Sequence, residues 1–340
     1  MSVTIEIEGR KVGPEHPAFI IAEIGINHDG NEDTASEMIR AAAAAGADAV
    51  KFQTVDADES YLPGTDSYRE FSGRALSLDA YQRLNATARN LGVIPFSTPG
   101  DIKSLEVIVS SGMRALKVSS GQMTNVPILR HCAASGLPII MSTGMANQEE
   151  VNAAVEILEA AGAEQIAILH CTSLYPAPAD ALNLLALKTL INAFPYPIGY
   201  SDHFIGPTAV IASIALGATI IEKHFSLDST KPGADHHLSA EPEEFSQLVR
   251  HIRQTEQMLG SGTKTAHSEE SRMRVDRMRY LVARQDLAAK TTLREEHLLA
   301  MRITKHQGGI AATEFDDVVG SLLKRSVAKG TPIQPEDLAS

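Results

Sequence analysis

Between residues 18 and 224 the chain repeats one pattern eight times: a short β-branched run, a polar end, then a helical stretch closed by glycine. The apolar runs fall at residues 19–24, 49–52, 93–96, 115–118, 138–141, 166–169, 197–200 and 220–223. Each is short and apolar enough to be a parallel strand buried on both faces. The stretches between them include residues 34–45 before Gly46, 78–91 before Gly92 and 148–161 before Gly162. Glycine there supplies the left-handed cap that ends a helix. Eight strand–helix units in about 210 residues match the arithmetic of a (β/α)8 barrel. A doubly wound open sheet would carry a glycine-rich phosphate loop after its first strand, and the sequence after residue 24 has no such pattern. The expected fold class is α/β, a TIM barrel.

Other segments flank this repeat. Val3, Ile5 and Ile7 alternate with Thr4, Glu6 and Glu8 up to Gly9, which predicts a strand that turns there into a hairpin. Beyond the eighth unit, Pro242–Leu259 reads as a long helix, and the Ser-, Thr-, Glu- and Arg-rich stretch 261–279 as a linker. Residues 280–340 carry a weak internal repeat: Ala289, Lys290, Thr292, Leu293 and Leu298 recur as Ala328, Lys329, Thr331, Ile333 and Leu338 with one residue inserted. That predicts a small β-rich domain of two similar halves. The expected organisation is hairpin plus barrel over 1–260, linker over 261–279 and small domain over 280–340.

Composition narrows the function classes. Of 340 residues 44% are hydrophobic and 21% charged, as in a globular chain. The formal net charge of −12 repels phosphate backbones and anionic lipid, so neither nucleic acid nor membrane is an expected partner. An anionic substrate then requires a local basic pocket. The longest apolar or small-residue run, residues 210–221, falls short of the roughly 20 residues that span a bilayer. The N-terminus has neither the basic start nor the apolar block of a signal peptide, so the expected location is the cytoplasm. Cys132 and Cys171 have no metal-type spacing and cannot frame a disulfide scaffold; both read as reduced, structural residues.

Catalysis in such a barrel sits at the C-terminal ends of the strands, and here nearly every strand end is polar. In chain order these ends carry Glu23, Asn27 and His28; Lys51 and Gln53; Ser97 and Thr98; Lys117, Ser119, Ser120 and Gln122. They continue with Ser142 and Thr143; His170 and Thr172; Ser201, Asp202 and His203; and Glu222 and His224. A single strand-end hydroxyl usually satisfies loop backbone groups. Lys51 and Lys117 are sharper, because an unpaired charge inside a buried strand costs several kcal/mol, so something anionic is expected to meet them. Two lysines among Ser and Thr hydroxyls suit a phosphate ester that also carries a carboxylate. A Schiff-base lysine, as in aldolases on the same barrel, fits the residues equally well. His203 and His224 end adjacent strands and can share an ion or simply hydrogen-bond at the rim. Two imidazoles without a nearby cysteine pattern suit an open octahedral Mn²⁺ or Mg²⁺ better than a closed zinc site.

These residues also stand in a recognisable order. Residues 21–30 (IAEIGINHDG), 50–54 (VKFQT), 96–99 (FSTP), 117–121 (KVSSG) and 142–145 (STGM) resemble the signatures of the sialic acid synthase family. So do 169–172 (LHCT) with Tyr175 and Pro176, 201–203 (SDH), 222–225 (EKHF) and 232–236 (PGADH). The C-terminal sixty or so residues resemble the antifreeze-like SAF domain of that family. The resemblance thus covers nearly the whole chain. It implies condensation of phosphoenolpyruvate with an open-chain N-acylated mannosamine-type sugar, giving a sialic acid or related nonulosonic acid and phosphate. It further implies a divalent cation, usually Mn²⁺, with Mg²⁺ or Co²⁺ as alternatives, and a domain-swapped homodimer in which each SAF domain covers the partner's barrel mouth.

The same resemblance assigns roles. Lys51, Lys117, Thr98, Ser119, Ser120 and Ser142 hold phosphoenolpyruvate; His203 and His224 hold the metal; Glu23 orients or deprotonates the attacking water, with Glu222 supporting the metal or the lysines. Asp235, Tyr175, Gln53 and Gln122 face the sugar, and Arg302 reaches it from the neighbouring subunit. Departures from the family pattern gather on the sugar side. Gln122 stands where many members have glutamate, Ser173 where many have asparagine, and Ile303-Thr304 where Pro-Gly usually follows the arginine. Residues 55–77 match no pattern. An acceptor such as a 2,4-diacetamido-2,4,6-trideoxyhexose, leading to a legionaminic-type acid, is the alternative to N-acetylmannosamine. An aldolase-like lyase and a non-catalytic binding protein are the readings from other classes.

Overall fold

The computed structural model describes residues 4–233, 235–303 and 308–339, without the side chains of residues 275 and 276. The chain divides into two compact units, residues 1–260 and 261–340.

The first unit opens with an antiparallel hairpin, β1 (Ile5–Ile7) and β2 (Arg10–Val12). Eight strands follow: β3 (Phe19–Gly25), β4 (Ala49–Thr54), β5 (Ile94–Pro99), β6 (Leu116–Val118), β7 (Ile139–Ser142), β8 (Ile166–Cys171), β9 (Ile198–Asp202) and β10 (Ile220–His224). All pair in parallel, and β10 closes on β3 to complete the barrel. The eight predicted runs overlap these strands. The helices around them are α1 (Glu32–Ala44), α2 (Ala57–Ser60), α3 (Asp66–Phe71), α4 (Leu78–Asn90), α5 (Ile102–Ser110), α6 (Val126–Ala134), α7 (Gln148–Ala160), α8 (Ala186–Ala193), α9 (Thr208–Ala215) and α10 (Pro242–Leu259). Polar side chains cap the starts of α1, α4, α5, α6 and α7, satisfying N–H groups that have no partner in the first turn. The segment 55–77, which showed no pattern in the sequence, holds the two short helices α2 and α3.

Strand alternation sends one set of side chains into the barrel and the other toward the helices. Phe19, Ile21, Ala49, Phe96, Ile140, Leu169 and Ile220 fill the lumen, and Ile5, Ile7 and Val12 of the hairpin belong to the same apolar cluster. The outward set packs with the helices in a second, larger cluster. The lumen is therefore solid beneath the polar layer at the strand ends.

In the second unit, α11 (Ser268–Arg277) occupies the stretch expected to be a linker. Only two of its ten residues, Met273 and Val275, are apolar, so hydrophobic periodicity could not reveal it; His267 and Glu270 cap its start reciprocally. β11 (Tyr280–Ala283) and β12 (Leu298–Met301) pair antiparallel, α12 (Phe315–Val318) follows, and isolated bridges such as Leu287 to Val327 join the two halves. The repeat is real, but its register differs from the sequence alignment. Both turns place a left-handed residue at an offset of 40, Lys290 (φ 67°) and Gly330 (φ 79°), so Lys290 is the equivalent of Gly330 and no residue is inserted. Among the described residues, no helix is long and apolar enough to cross a membrane.

Candidate active site

The polar layer above the lumen is set by the same alternation. Glu23, Lys51, Thr98, Lys117, Ser142, Cys171 and Ser201 share the parity of the lumen residues two positions earlier on their strands, and so do Glu222 and His224 on β10. Ser97, Asp202 and Lys223 have the opposite parity. Asp202 and Lys223 form a buried ion pair (2.8 Å), and Ser97 joins Thr54 and Tyr81 in a hydroxyl network.

Lys51 and Lys117 are 3% and 2% exposed, and both meet carboxylates of the protein itself. Lys51 Nζ contacts Glu23, lies 3.6 Å from Glu222 Oε2 and donates to Thr98 Oγ1 (3.1 Å). Lys117 Nζ lies 3.5 Å from Glu222 Oε1 and donates to Ser142 Oγ (2.6 Å). Ser201 Oγ donates to Glu222 Oε1 (2.8 Å), so Glu222 bridges both lysines. The anionic partners expected for the buried lysines are, in the protein itself, Glu23 and Glu222. Burial lowers the Lys51 ammonium to about 7, with Glu222 opposing and Lys117 adding to the shift. Burial works against the Glu222 carboxylate, but the two lysines outweigh it and hold Glu222 below its ordinary value.

At the ends of β9 and β10, the His203 and His224 rings are 5.2 Å apart and the Tyr175 ring packs 4.1 Å from His203. His203 Nδ1 is 2.7 Å from the Thr172 carbonyl. Asp235 Oδ2 is 3.5 Å from His224 Nδ1, and burial raises the Asp235 carboxyl against the pull of His203. Gln53 packs beside Glu23 over Gly25.

A charged, buried cluster and a histidine pair at one barrel mouth are the elements the sequence resemblance requires, and comparison with known families decides the matter. Residues 38–264 match the NeuB family. The chain belongs to the NeuB family. Residues 279–339 match the SAF domain, which identifies the second unit. The N,N'-diacetyllegionaminic acid synthase of Legionella pneumophila is 38% identical over 339 residues, covering 94% of each chain. The N-acetylneuraminate-9-phosphate synthase of Mus musculus is 34% identical, covering 88% of this chain and 87% of that one. The solved N-acetylneuraminic acid (sialic acid) synthetase of Leptospira borgpetersenii superposes with a TM-score of 0.76 at 34% identity, over 80% of this chain and 95% of its own. This NeuB chain is thus an enzyme of the nonulosonic acid synthase family.

The histidines of this NeuB barrel fit a divalent cation. A carbonyl can only accept, so the Thr172 contact places a proton on His203 Nδ1 and leaves Nε2 as the donor atom, the arrangement usual for ligating histidines. Burial, with His203 and Lys51, holds His224 well below its ordinary value. It is therefore neutral, and its buried Nδ1 has no hydrogen-bond partner. For His203, burial acts downward but is outweighed by Cys171 and the Thr172 carbonyl, giving a net rise. Among the described residues no group of three or more His, Cys, Asp or Glu is placed to hold a metal, so water or substrate oxygens would complete the coordination.

Not every predicted residue joins this cluster. Gln122 donates to the Gly100 carbonyl (2.6 Å) and accepts from Asn125 (2.7 Å); its amide is committed to the loops outside the mouth, and Ser119 lines the same outer groove. Ser120 Oγ accepts the Gly144 N–H (2.9 Å). Gly144 allows this approach, since a Cβ there would lie 2.1 Å from Ser173 Oγ and 2.7 Å from Ser120 Oγ. Arg302 is exposed in the SAF unit, just after β12. Thr304, in the departure after Arg302, and Ala234, in the 232–236 motif, lie outside the described residues. Sequence reasoning named Ser201 at its strand end but gave it no role, and it took Cys171 as structural although its Sγ is 3.9 Å from His203 Nδ1. Strand parity was the signal that could have found both.

Proposed function

We propose that this enzyme condenses phosphoenolpyruvate with an open-chain N-acylated mannosamine-type sugar, with 2,4-diacetamido-2,4,6-trideoxymannose as acceptor, to give a legionaminic-type nonulosonic acid and phosphate. The observation that carries the reading is the pair of buried lysines set among Thr98, Ser142 and Glu222 on a NeuB-family barrel. Lys51 and Lys117, with Thr98, Ser142 and Ser120, bind the carboxylate and phosphate through charge-assisted hydrogen bonds. A divalent cation held by His203 and His224, Mn²⁺ first and Mg²⁺ or Co²⁺ as alternatives, would supply Lewis-acid polarisation of the acceptor aldehyde.

Asp235 and Tyr175, beside the histidines, and Gln53 orient the sugar so that its C1 meets C3 of the enol. A new C–C bond forms there as the aldehyde π pair moves onto its oxygen, and C2 becomes cationic. Water adds at C2, and Glu23, buried against Lys51, takes up its proton and returns one to the former aldehyde oxygen. The C2–O bond to phosphate then breaks, the C2 hydroxyl gives its proton to the departing phosphate, and the ketone remains. Arg302 would enter from a second copy of the chain in a homodimer.

Relatedness supports the diacetamido acceptor over N-acetylmannosamine: the similarity to a legionaminic acid synthase runs through 94% of the chain at 38% identity, against 88% at 34% for an N-acetylneuraminate-9-phosphate synthase. The test is phosphate release from phosphoenolpyruvate with Mn²⁺, run with each sugar and repeated with chelator. Turnover with the diacetamido sugar alone is expected. Turnover with N-acetylmannosamine alone would reverse the acceptor assignment, and undiminished activity in chelator would remove the metal.

A further inference from the structure

The loop that carries Asp235 leaves the barrel at Phe225 and returns at Ala240, where Ala240 N donates to His224 O (2.8 Å) and Ser226 N to Ala240 O (3.1 Å). A side chain from just after β3, the strand paired with β10, reaches into this loop. Asn27, 2% exposed, accepts the Asp235 N–H at Oδ1 (3.2 Å) and donates from Nδ2 to the Phe225 carbonyl (3.0 Å) and to Ser239 Oγ (3.1 Å). Ser239 Oγ in turn donates to the Asp235 carbonyl (2.7 Å). Both backbone polar groups of Asp235 are therefore held by one buried amide, directly on the N–H side and through Ser239 on the C=O side. A primary amide is the group that can do this, since it offers an acceptor and two donors in one plane. Asp29 adds a weaker outer contact to the same loop, 3.9 Å from His236 Nε2, while His236 Nδ1 meets Ser226 Oγ (2.7 Å).

We propose that Asn27 is a positioning residue for the acceptor sugar, acting through Asp235 and touching neither substrate. The inference rests on the reading above that Asp235 binds the sugar. Phosphoenolpyruvate is held by Lys51, Lys117, Thr98 and Ser142, none of which hydrogen-bonds to Asn27 among the described contacts. Misplacing Asp235 should therefore be felt by the acceptor and not by phosphoenolpyruvate.

Asn27→Ser shortens the side chain and removes the span. The expected result is a fall of about 10–100-fold in kcat/KM for the acceptor, the scale of a misplacement near 1 Å, with the calorimetric Kd for phosphoenolpyruvate within about twofold of wild type. In an Asp235→Ala background the same substitution should cost less than about threefold further, because residues acting through one another are not additive. Hydrogen exchange over residues 226–239 should accelerate in Asn27→Ser whether or not turnover is measured. Equal losses in both backgrounds, a parallel loss of phosphoenolpyruvate affinity, or unchanged exchange would each overturn the proposal. If Asn27→Ser does not fold, Ser239→Ala breaks only the carbonyl arm and Ser239→Thr should restore it; a Ser239→Ala enzyme with wild-type acceptor kinetics and exchange also overturns it. Should the wild-type chain turn over no acceptor, the function reading fails, and the exchange measurement alone decides whether Asn27 holds Asp235.

Discussion

Each lysine at the barrel mouth already has a carboxylate against it, and that changes what substrate binding must do. Lys51, Lys117, Glu23 and Glu222 together are close to neutral, whereas phosphoenolpyruvate brings about three negative charges at neutral pH, its phosphate having a second pKa near 6. In the proposed reading the substrate draws the lysines away from Glu222 and needs further positive charge to balance it, which a cation at the histidine pair would bring. Lys117→Ala removes the partner of Ser142 and one of the two cations on Glu222. It is expected to raise the phosphoenolpyruvate KM or abolish turnover, losing at least about a hundredfold in kcat/KM, and to destabilise the fold by about 3–5 kcal/mol, the scale for breaking a buried ion pair. Near-normal kinetics would remove Lys117 from the site. Lys51 carries a pH signature. Its ammonium lies at about 7 in the free protein, and a bound anion must raise it, so binding above pH 7 takes up a proton. Affinity for phosphoenolpyruvate in chelator-treated protein should therefore fall between pH 7 and 9, approaching about tenfold per pH unit. Calorimetry giving a flat Kd across that range would mean that Glu23 keeps Lys51 charged.

The element that organises the site is the strand, through its two-residue period. The eight runs were legible in the sequence because buried parallel strands are apolar on both faces, and the glycine stops and helix caps marked the intervals. The candidate residues were legible only as a mixture. Ser97 and Asp202 stood among the strand-end polar residues beside Thr98 and His203, yet they point toward the helices, because a shift of one residue reverses the face. Counting parity from the lumen residues separates the two sets without a structure. What sequence could not supply was contact across loops: the commitment of Gln122 to Gly100 and Asn125, or the reach of Asn27 into the Asp235 loop, joins residues far apart in the chain. Gly199 shows how tightly the strands set the lumen. A Cβ there would lie 2.5 Å from the Ile220 carbonyl and 2.6 Å from Leu169 Cδ2. Backbone on one side and a packed side chain on the other leave no room to yield, so Gly199→Ala should cost about 1–3 kcal/mol of overpacking. That is read as a lower urea midpoint at unchanged slope. An unchanged midpoint would mean that β9 can move apart from its neighbours.

At the scale of the whole molecule, the chain joins an acidic barrel to a unit of different character. The acidic excess falls in residues 1–260, while residues 261–340 are nearly balanced and carry Arg272, Arg274, Arg277 and Arg279 in close succession. In the proposed reading Lys51 and Lys117 supply the cations for phosphoenolpyruvate, and the sugar side is built from Asp235, Tyr175 and the histidines. Arg302, exposed at the end of β12, is the group that would complete that side if it arrived from a second copy. Mixing two variants, each expected to be impaired on its own, tests this directly. In a dimer of Arg302→Ala with Asp235→Ala, a trans arrangement leaves one barrel with an intact Asp235 and an intact Arg302 from its neighbour, and the other barrel with neither. Random exchange of subunits should then restore about a quarter of the wild-type sites, half of the dimers carrying one intact site each. Activity that stays at the level of the separate variants, in a mixture shown by mass spectrometry to have exchanged subunits, would place Arg302 in its own barrel's site or outside any site. Single-variant kinetics on Arg302→Ala, with a raised acceptor KM or no change at all, would then tell those two apart.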